Sequence, residues 1–542
     1  MRPLDWWVLA ASIAGIVFYG LWRGRHSDTT QKYLLAGRTM PWYAMALSIM
    51  ATQASAITFI STTGQSYVDG MRFVQFYLGL PLAMIFIAAF IAPRFHASGV
   101  YTAYEYLEGR FDARVRALVS SIFLVQRGLA VGVALSAPAL VLTVLFGWPA
   151  SVTSVAMGVL VVLYTVVGGI AAVTWTDFLQ MLVMTLGIVA ALATALALSP
   201  VGLPEALEVA GSAGRLNPAV WRFNLNDQYN VWSGLIGGMF LALAYFGCDQ
   251  SQVQRYLTAR SIAQAKVSLL FNAVAKIPMQ FFILFTGAMV FVFFVYTKPP
   301  VLFDPTLVRA LEQSPAATRV QQEFDEAWAA RKSAAQTLPG SLAEFQAAQQ
   351  RLETARKQAA AAAGKPNAND TNYIFLSFVI QYVPAGVVGL IIAAIFAAAM
   401  STISAEINSL ATVSVIDVYR RFVRKDAADR HYLWASRVAT LFWGVYAIVT
   451  AQFAAGLGSL IEAVNRLGSL FYGGLIGVFL LAFFFPRVGA REAFFAVLLG
   501  EAAIFAARYL TQVSFLWYNV IGCGVVLASA SLLAAFSPAR AR

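Results

Sequence analysis

Apolar runs near the roughly 20 residues needed to cross a bilayer recur along almost the whole chain. They begin near Leu4, Trp42, Phe73, Leu118, Val152, Phe178, Val231, Val267, Val387, Tyr432, Ser459, Ala493 and Phe515. In hydrocarbon every backbone N–H and C=O must be satisfied within the chain, so such runs fold as helices. The pattern predicts an all-α integral membrane protein of about thirteen spans. Charged residues make up 12% of the chain, about half the roughly 25% of a soluble domain. Basic residues gather after odd-numbered spans: Arg23 to Arg38, Arg94 to Arg116, Arg255 to Lys266, Arg420 to Arg430, Arg487 and Arg491, and Arg540 and Arg542. The positive-inside rule makes these segments cytoplasmic, with the N-terminus outside, the C-terminus inside, and the chain multi-pass in the plasma (inner) membrane. The net charge of +12 is thus a topology signal rather than a nucleic-acid footprint. The first span lacks a small-residue cleavage site and reads as a retained helix.

One stretch combines contradictory surroundings. From Gly389 to Met400 it is wholly apolar; then Ser401, Thr402, Ser404, Glu406, Asn408 and Ser409 follow with no turn residue. Ala398, Ser401 and Thr402 stand at i, i+3 and i+4, so a carbonyl and two hydroxyls share one helix face. Neutral oxygens of this kind suit Na⁺, although small and hydroxylated residues also serve close helix packing.

Two other spans are interrupted. Span two turns polar at Thr52, Gln53, Ser55 and Thr58, and span seven carries Gly237, Gly238 and Gly247 before Asp249, Gln250 and Gln254. Interrupted helices at matching positions predict a 5+5 inverted repeat with a binding site at the midplane. The expected organisation is a first helix and loop at 1–40, repeat one at 41–197, an external loop at 198–230, repeat two at 231–485, and two final spans with a short tail at 486–542. Within repeat two, an external insertion at 297–372 should fold as an antiparallel helical hairpin, Pro315 to Leu338 and Ser341 to Ala363, turning at Pro339-Gly340. Its role stays open between a lid, a docking site for a partner and an inert insertion.

Enzyme chemistry is disfavoured. Cys248 and Cys523 lie in apolar segments, and His26, His96 and His431 fall in predicted cytoplasmic loops, which fits neither a metal cluster nor a nucleophilic triad. Phosphate cradles of the G-x-x-x-x-G-K-[ST] type do not occur, so ATP is not the expected energy source.

YLLAGR before span two, WTDFLQ in span six, GCDQSQVQR at the end of span seven and AAAMSTISAEINSLAT in span nine together resemble the sodium/solute symporter family, with its LeuT-type core. That resemblance implies a sodium-coupled symporter with Na⁺ as coupling ion, no organic cofactor, and a small solute as cargo. It carries the main sodium site onto the carbonyls of Ala51 and Ala54 and onto Ala398, Ser401 and Thr402. A second sodium site in some members corresponds to Asp177, Ser401 and Ser404, where Ala405 supplies no side-chain oxygen at the next position. Ser55, Thr58 and Lys276 align with positions facing the substrate, and Tyr245 with an aromatic inner gate.

Arg127 lies too far inside its span to be cheap, at about 2.5 to 3.5 kcal/mol for a central Arg on insertion scales. In the sialic-acid-carrying branch an Arg at the matching position holds the substrate carboxylate, and the SAITF run at Ser55 to Phe59 also resembles that branch. The alternative is an internal ion pair with Glu406 or Asp249. Lys276 and Glu406 are candidates for mutual pairing, Asp177 for a helix cap after Thr174, and Glu462 with Arg466 for an i, i+4 pair. The reading is a sodium-coupled importer of a carboxylate-bearing solute working by alternating access. An uncharged sugar or amino acid is the alternative cargo. A membrane sensor and a channel are the rival classes, the former disfavoured because the tail after span thirteen leaves no room for a kinase.

Overall fold

The computed structural model describes residues 1–25, 27–453 and 459–536; His26, Arg540 and Arg542, named above as loop and tail residues, lie outside the described residues. It is helical throughout, with no β-strand among the described residues. In chain order the principal helices are α1 (Pro3–Gly24), α2 (Trp42–Gln53), α3 (Ala56–Asp69), α4 (Ala103–Arg110), α5 (Ala113–Phe146), α6 (Ala150–Ala197), α7 (Gly238–Gly247), α8 (Gln250–Leu257) and α9 (Ile262–Tyr296). There follow α10 (Pro305–Glu312), α11 (Ala317–Ala335), α12 (Leu342–Ala362), α13 (Thr371–Tyr382), α14 (Val387–Val413), α15 (Asp429–Ala451), α16 (Leu460–Phe484), α17 (Ala490–Leu510) and α18 (Phe515–Phe536). Ten helical stretches among the described residues are long and apolar enough to cross a membrane, and two of these, Ala56–Ser98 and Ser151–Ala197, run to 43 and 47 residues. At about 1.5 Å per residue each of these two has length for a pair of crossings.

The longer one shows how. Inside α6, Gly169 takes φ 56° and ψ −153°, a conformation open to glycine alone, and a Cβ there would collide with the carbonyl oxygen of Tyr33. The break puts Asp177 two turns into the following helix, which corrects the helix-cap reading: its carboxylate answers side chains of other helices, not a helix end.

At the centre stands α14. Within its most apolar window 89% of residues are buried, against 22% for α1, and it packs on α1, α5, α6 and α15. Its amino end is closed from another helix: Asp5 Oδ1, on α1, accepts from Gly386 N at 2.6 Å and Gly389 N at 3.1 Å. A carboxylate at a helix N-terminus satisfies orphan amides and complements the helix dipole.

The hairpin expected at 297–372 forms, with α11 packed along α12 and both helices slightly shorter than expected. It has a small core of Val320, Phe324 and Leu352, to which the unforeseen α10 adds Leu307 and Leu311. Arg331 fastens it to the end of α9, donating from Nη2 to the Phe294 carbonyl at 2.7 Å. Burial pulls this guanidinium down to about 10, so it stays charged at neutral pH.

Two residues counted as loop charges are buried. Arg255 is fully enclosed on α8, and Arg116, in the first turn of α5, donates to Asp417 and Glu108 at 2.7 Å each. Their position near the end of an apolar run conceals this, because a sequence window sees hydropathy but not the acids that other helices bring.

Candidate functional site

Both expected interruptions are present. α2 ends at Ala54 (φ −87°, ψ 67°) and α3 begins after an extended Ser55 (φ −72°, ψ 170°). α7 ends at Cys248, and Asp249 is extended (φ −77°, ψ 120°) as it caps α8, accepting from Ser251 N at 2.9 Å and Ser251 Oγ at 2.7 Å. A broken helix leaves carbonyls without partners. Among the described residues no donor reaches the carbonyls of Ala51 or Ala54, and both residues are fully buried. Orphaned buried oxygens at a helix end are the donor set a small hard cation can use.

α14 meets this end directly. Thr402 Oγ1 lies 3.0 Å from the Thr52 carbonyl and 3.2 Å from the Ala398 carbonyl, placing an oxygen between α2 and α14. Ser401 points elsewhere: its hydroxyl donates to Asp177 Oδ1 at 2.6 Å, and Ser404 Oγ donates to the Ser401 carbonyl at 3.0 Å. The five residues expected around the main cation are thus split, with Thr402 and Ala398 at the open end of α2 and the Ser401 hydroxyl at Asp177.

Asp177 gathers more than expected. Ser48 donates to its Oδ2 at 2.5 Å, and Arg255 donates from Nη2 at 3.1 Å and from Nε to Ser48 Oγ at 2.9 Å; Arg255 Nη1 also donates to the Ser251 carbonyl. Sequence reasoning missed Ser48 and Arg255 as site residues. Arg255 closes the GCDQSQVQR run that marked the interruption, so the signal was in hand but was assigned to topology.

A second cluster surrounds Arg127. Its Nη1 donates to Glu406 Oε1 at 2.7 Å, and its Nη2 donates to Tyr472 Oη at 2.7 Å and to Asp249. Tyr472 in turn donates to Asp249 Oδ2 at 3.1 Å. Tyr245 presents its ring 5.5 Å from the Arg127 guanidinium carbon and accepts from Gln252 Nε2 at 2.8 Å. Both internal partners weighed for Arg127 are therefore engaged at once.

Lys276 is not paired with Glu406, which corrects that suggestion. Its fully buried Nζ has no hydrogen-bond partner among the described residues and lies 5.4 Å from the Tyr77 ring centroid. Asn272 Nδ2 donates to the Ala46 carbonyl at 3.1 Å, while Gly287 is pressed against the Thr63 carbonyl. These two contacts lie on either side of Lys276 along α9, and on either side of the break along the interrupted helix. Thr58, buried in α3, donates to the Gln53 carbonyl at 3.4 Å, and Ser55 sits at the break itself. Arg127 and Arg255 thus engage the three carboxylates Asp249, Glu406 and Asp177, and Lys276 stands apart from all of them.

A model of the Sodium:solute symporter family matches residues 33–321 and 351–500. The chain belongs to that family and is a multi-pass membrane protein. The stretch between the matched parts falls within the hairpin. A curated relative, the sodium/sialic acid symporter SiaT of Proteus mirabilis, is 27% identical over 99% of this chain and 96% of its own length. The sodium/glucose cotransporter of Vibrio parahaemolyticus is 26% identical over 91% and 83%, and human sodium-coupled monocarboxylate transporter 1 is 28% identical over 90% and 70%. A solved structure of a Na⁺-coupled sialic acid symporter in a substrate-bound outward-open state aligns with a TM-score of 0.79 at 26% identity, covering 99% of both chains.

Proposed function

We propose that this protein imports a small carboxylate-bearing solute together with Na⁺ by alternating access. Thirteen crossings, an outside N-terminus, and repeats at 41–197 and 231–485 complete the reading, with Na⁺ as coupling ion and no organic cofactor. The observation that carries the anion assignment is Lys276, a buried amine without a counter-charge on the helix that packs along both halves of the interrupted one. Protonating an unpaired buried amine is costly, and a carboxylate beside it offsets that cost. Sialic acid and monocarboxylates are the cargoes in the names of several relatives.

Na⁺ would be held by the Ala51, Ala54 and Ala398 carbonyls and by the Ser401 and Thr402 hydroxyls, with Asp177, Ser401 and Ser404 as a second site. Sodium binding between α2 and α14 favours the state that binds solute best, and its loss to a low-sodium interior releases both, since coupling is differential binding to two states. Ser55 and Thr58 offer hydroxyls to the solute, Arg127 reaches its carboxylate only by exchanging Glu406 or Asp249, and Tyr245 closes the inner side.

Import of an uncharged sugar is the second reading, favoured by the saturation of Arg127 with internal acids and by the glucose-carrying relative. Uptake into proteoliposomes of labelled N-acetylneuraminate, lactate and glucose, with and without an inward sodium gradient, separates the two. Sodium-driven uptake of glucose and of neither acid overturns the anion assignment.

A further inference from the structure

A chain of aromatic rings crosses one face of the molecule near the ends of four helices. It runs from Trp22 in the last turn of α1, through Trp175 and Phe178 on the second half of α6, to Tyr43 and Trp42 in the first turn of α2 and Phe271 on α9. From Trp175 onward, successive ring centroids lie 6.0 to 6.3 Å apart. The gap between Trp22 and Trp175 is filled by Arg23, whose guanidinium carbon lies 5.7 Å from the first ring centroid and 4.0 Å from the second.

This face is turned outward. Trp22, Trp42 and Tyr43 are 40 to 45% exposed. Along α6 the stripe continues from Phe178 to Leu182, Leu186 and Val189, spaced by three or four residues and all exposed. In a membrane-spanning chain Trp and Tyr at helix ends sit at the headgroup level, and an exposed apolar stripe beside them lies against acyl chains.

The positive charge here is not spent on acids. Arg23 has no ion-pair partner among the described residues, and Arg25 adds a second guanidinium 5.6 Å from the same Trp22 ring. Asp28, the next acid along the chain, is held by Lys32 at 2.8 Å. A guanidinium lying against a ring keeps its N–H edge for the oxygens of an anion, and phosphate matches that fork. Two guanidinium groups at an aromatic band, with hydrocarbon leading away from them, fit a molecule that has an anionic phosphate head and long apolar chains.

We infer that this face binds an anionic phospholipid, its headgroup between Arg23, Arg25 and Trp175 and a chain along the exposed stripe of α6. Trp175 and Phe178 point away from the side on which the fully buried Asp177 meets Ser48, Arg255 and Ser401. The lipid therefore lies on the reverse of the turn that presents Asp177. Because its headgroup touches α1 and α6 together, its binding stabilises their packing. The inference does not depend on which solute the protein carries.

The test uses the purified full chain in detergent micelles, with thermal unfolding as the readout. Added dioleoylphosphatidylglycerol is expected to raise the melting temperature by about 2 to 4 °C, as a ligand of the folded state does. Dioleoylphosphatidylcholine at the same mole fraction should give less than half that shift. Arg23 is partly exposed and makes no ion pair, so Arg23→Gln should fold, and it should abolish the difference between the two lipids. Arg424→Gln removes an equal charge from the loop after α14 and should keep the difference. Equal shifts by both lipids in wild type, or a difference that survives Arg23→Gln, overturns the site. Equal loss of the difference in Arg424→Gln overturns it too, by assigning the effect to net charge. A shift reproduced by sn-glycerol 3-phosphate alone overturns the lipid assignment in favour of a free phosphate.

Discussion

The hydroxyl of Ser401 donates to Asp177 Oδ1 across 2.6 Å, while its neighbour Thr402 turns to the Thr52 carbonyl. Adjacent residues of α14 therefore serve different helices, Ser401 the second half of α6 and Thr402 the broken end of α2. Of the two cation sites proposed for this chain, Thr402 belongs to the main one alone, while Ser401 is shared by both.

Thr402→Ala removes the one side-chain oxygen that spans α2 and α14. The half-saturating sodium concentration for uptake should rise about tenfold, near 1.4 kcal/mol, and Thr402→Ser should restore it. Wild-type sodium activation in Thr402→Ala places the main cation elsewhere.

Asp177→Asn keeps the shape of the carboxylate but leaves Arg255 buried beside a neutral amide. Breaking a buried pair in this way costs about 3 to 5 kcal/mol, so the melting temperature should fall. If Asp177 also gathers a second sodium, the Hill coefficient for sodium drops towards one. Lower stability with an unchanged Hill coefficient assigns Asp177 to Arg255 alone.

Arg127→Gln strands Glu406 and Asp249 together, with an expected loss of about 3 to 5 kcal/mol in stability. Arg127→Gln/Glu406→Gln should recover part of that loss, read as a coupling energy in a double-mutant cycle of thermal unfolding. Additive losses would falsify the ion-pair geometry.

Lys276→Met removes a buried amine that has no hydrogen-bond partner among the described residues, so stability should be kept or improved. Apparent affinity for the transported acid should fall about tenfold or more while sodium activation persists, in line with losing a charge-assisted contact of about 1.5 to 3 kcal/mol. An unchanged affinity returns the anion-binding role to Arg127.

Glu108 lies outside the spans. Burial raises its pKa, but Arg421 and Arg116, whose guanidinium groups donate to it, outweigh that and hold it below the ordinary value. A folded pKa below the unfolded one gives stability that is present above the unfolded value of about 4.3 and is lost as pH falls through the folded value. Acidification from pH 6 to pH 3.5 should therefore lower the melting temperature more in wild type than in Glu108→Gln.

The helical fold, both interruptions and the hairpin were legible because each depends on local pattern: apolar length, a polar turn of sequence inside it, and Pro339-Gly340 between two helical runs. Arg127 was legible as a charge that needs a partner, and Glu406 and Asp249 were named as candidates. What pattern did not reveal was non-local. Ser48 and Arg255 converge on Asp177 from separate helices, and the break at Gly169, which decides where Asp177 lies, is one glycine in an unbroken apolar run whose need is set by Tyr33. Pairing with Glu406 is the alternative that the sequence offers for Lys276, beside a place facing the substrate, but Arg127 already holds that acid.

The cap that Asp5 places on α14 has a mechanical meaning. Because two amides at the start of α14 are answered from α1 instead of from their own loop, any tilt of α14 either carries α1 with it or ruptures two charge-assisted bonds of about 1.5 to 3 kcal/mol each. The first helix is therefore a passenger bolted to the same rigid body as α14, so a spin-label pair spanning α1 and α14 should hold one distance through the whole transport cycle.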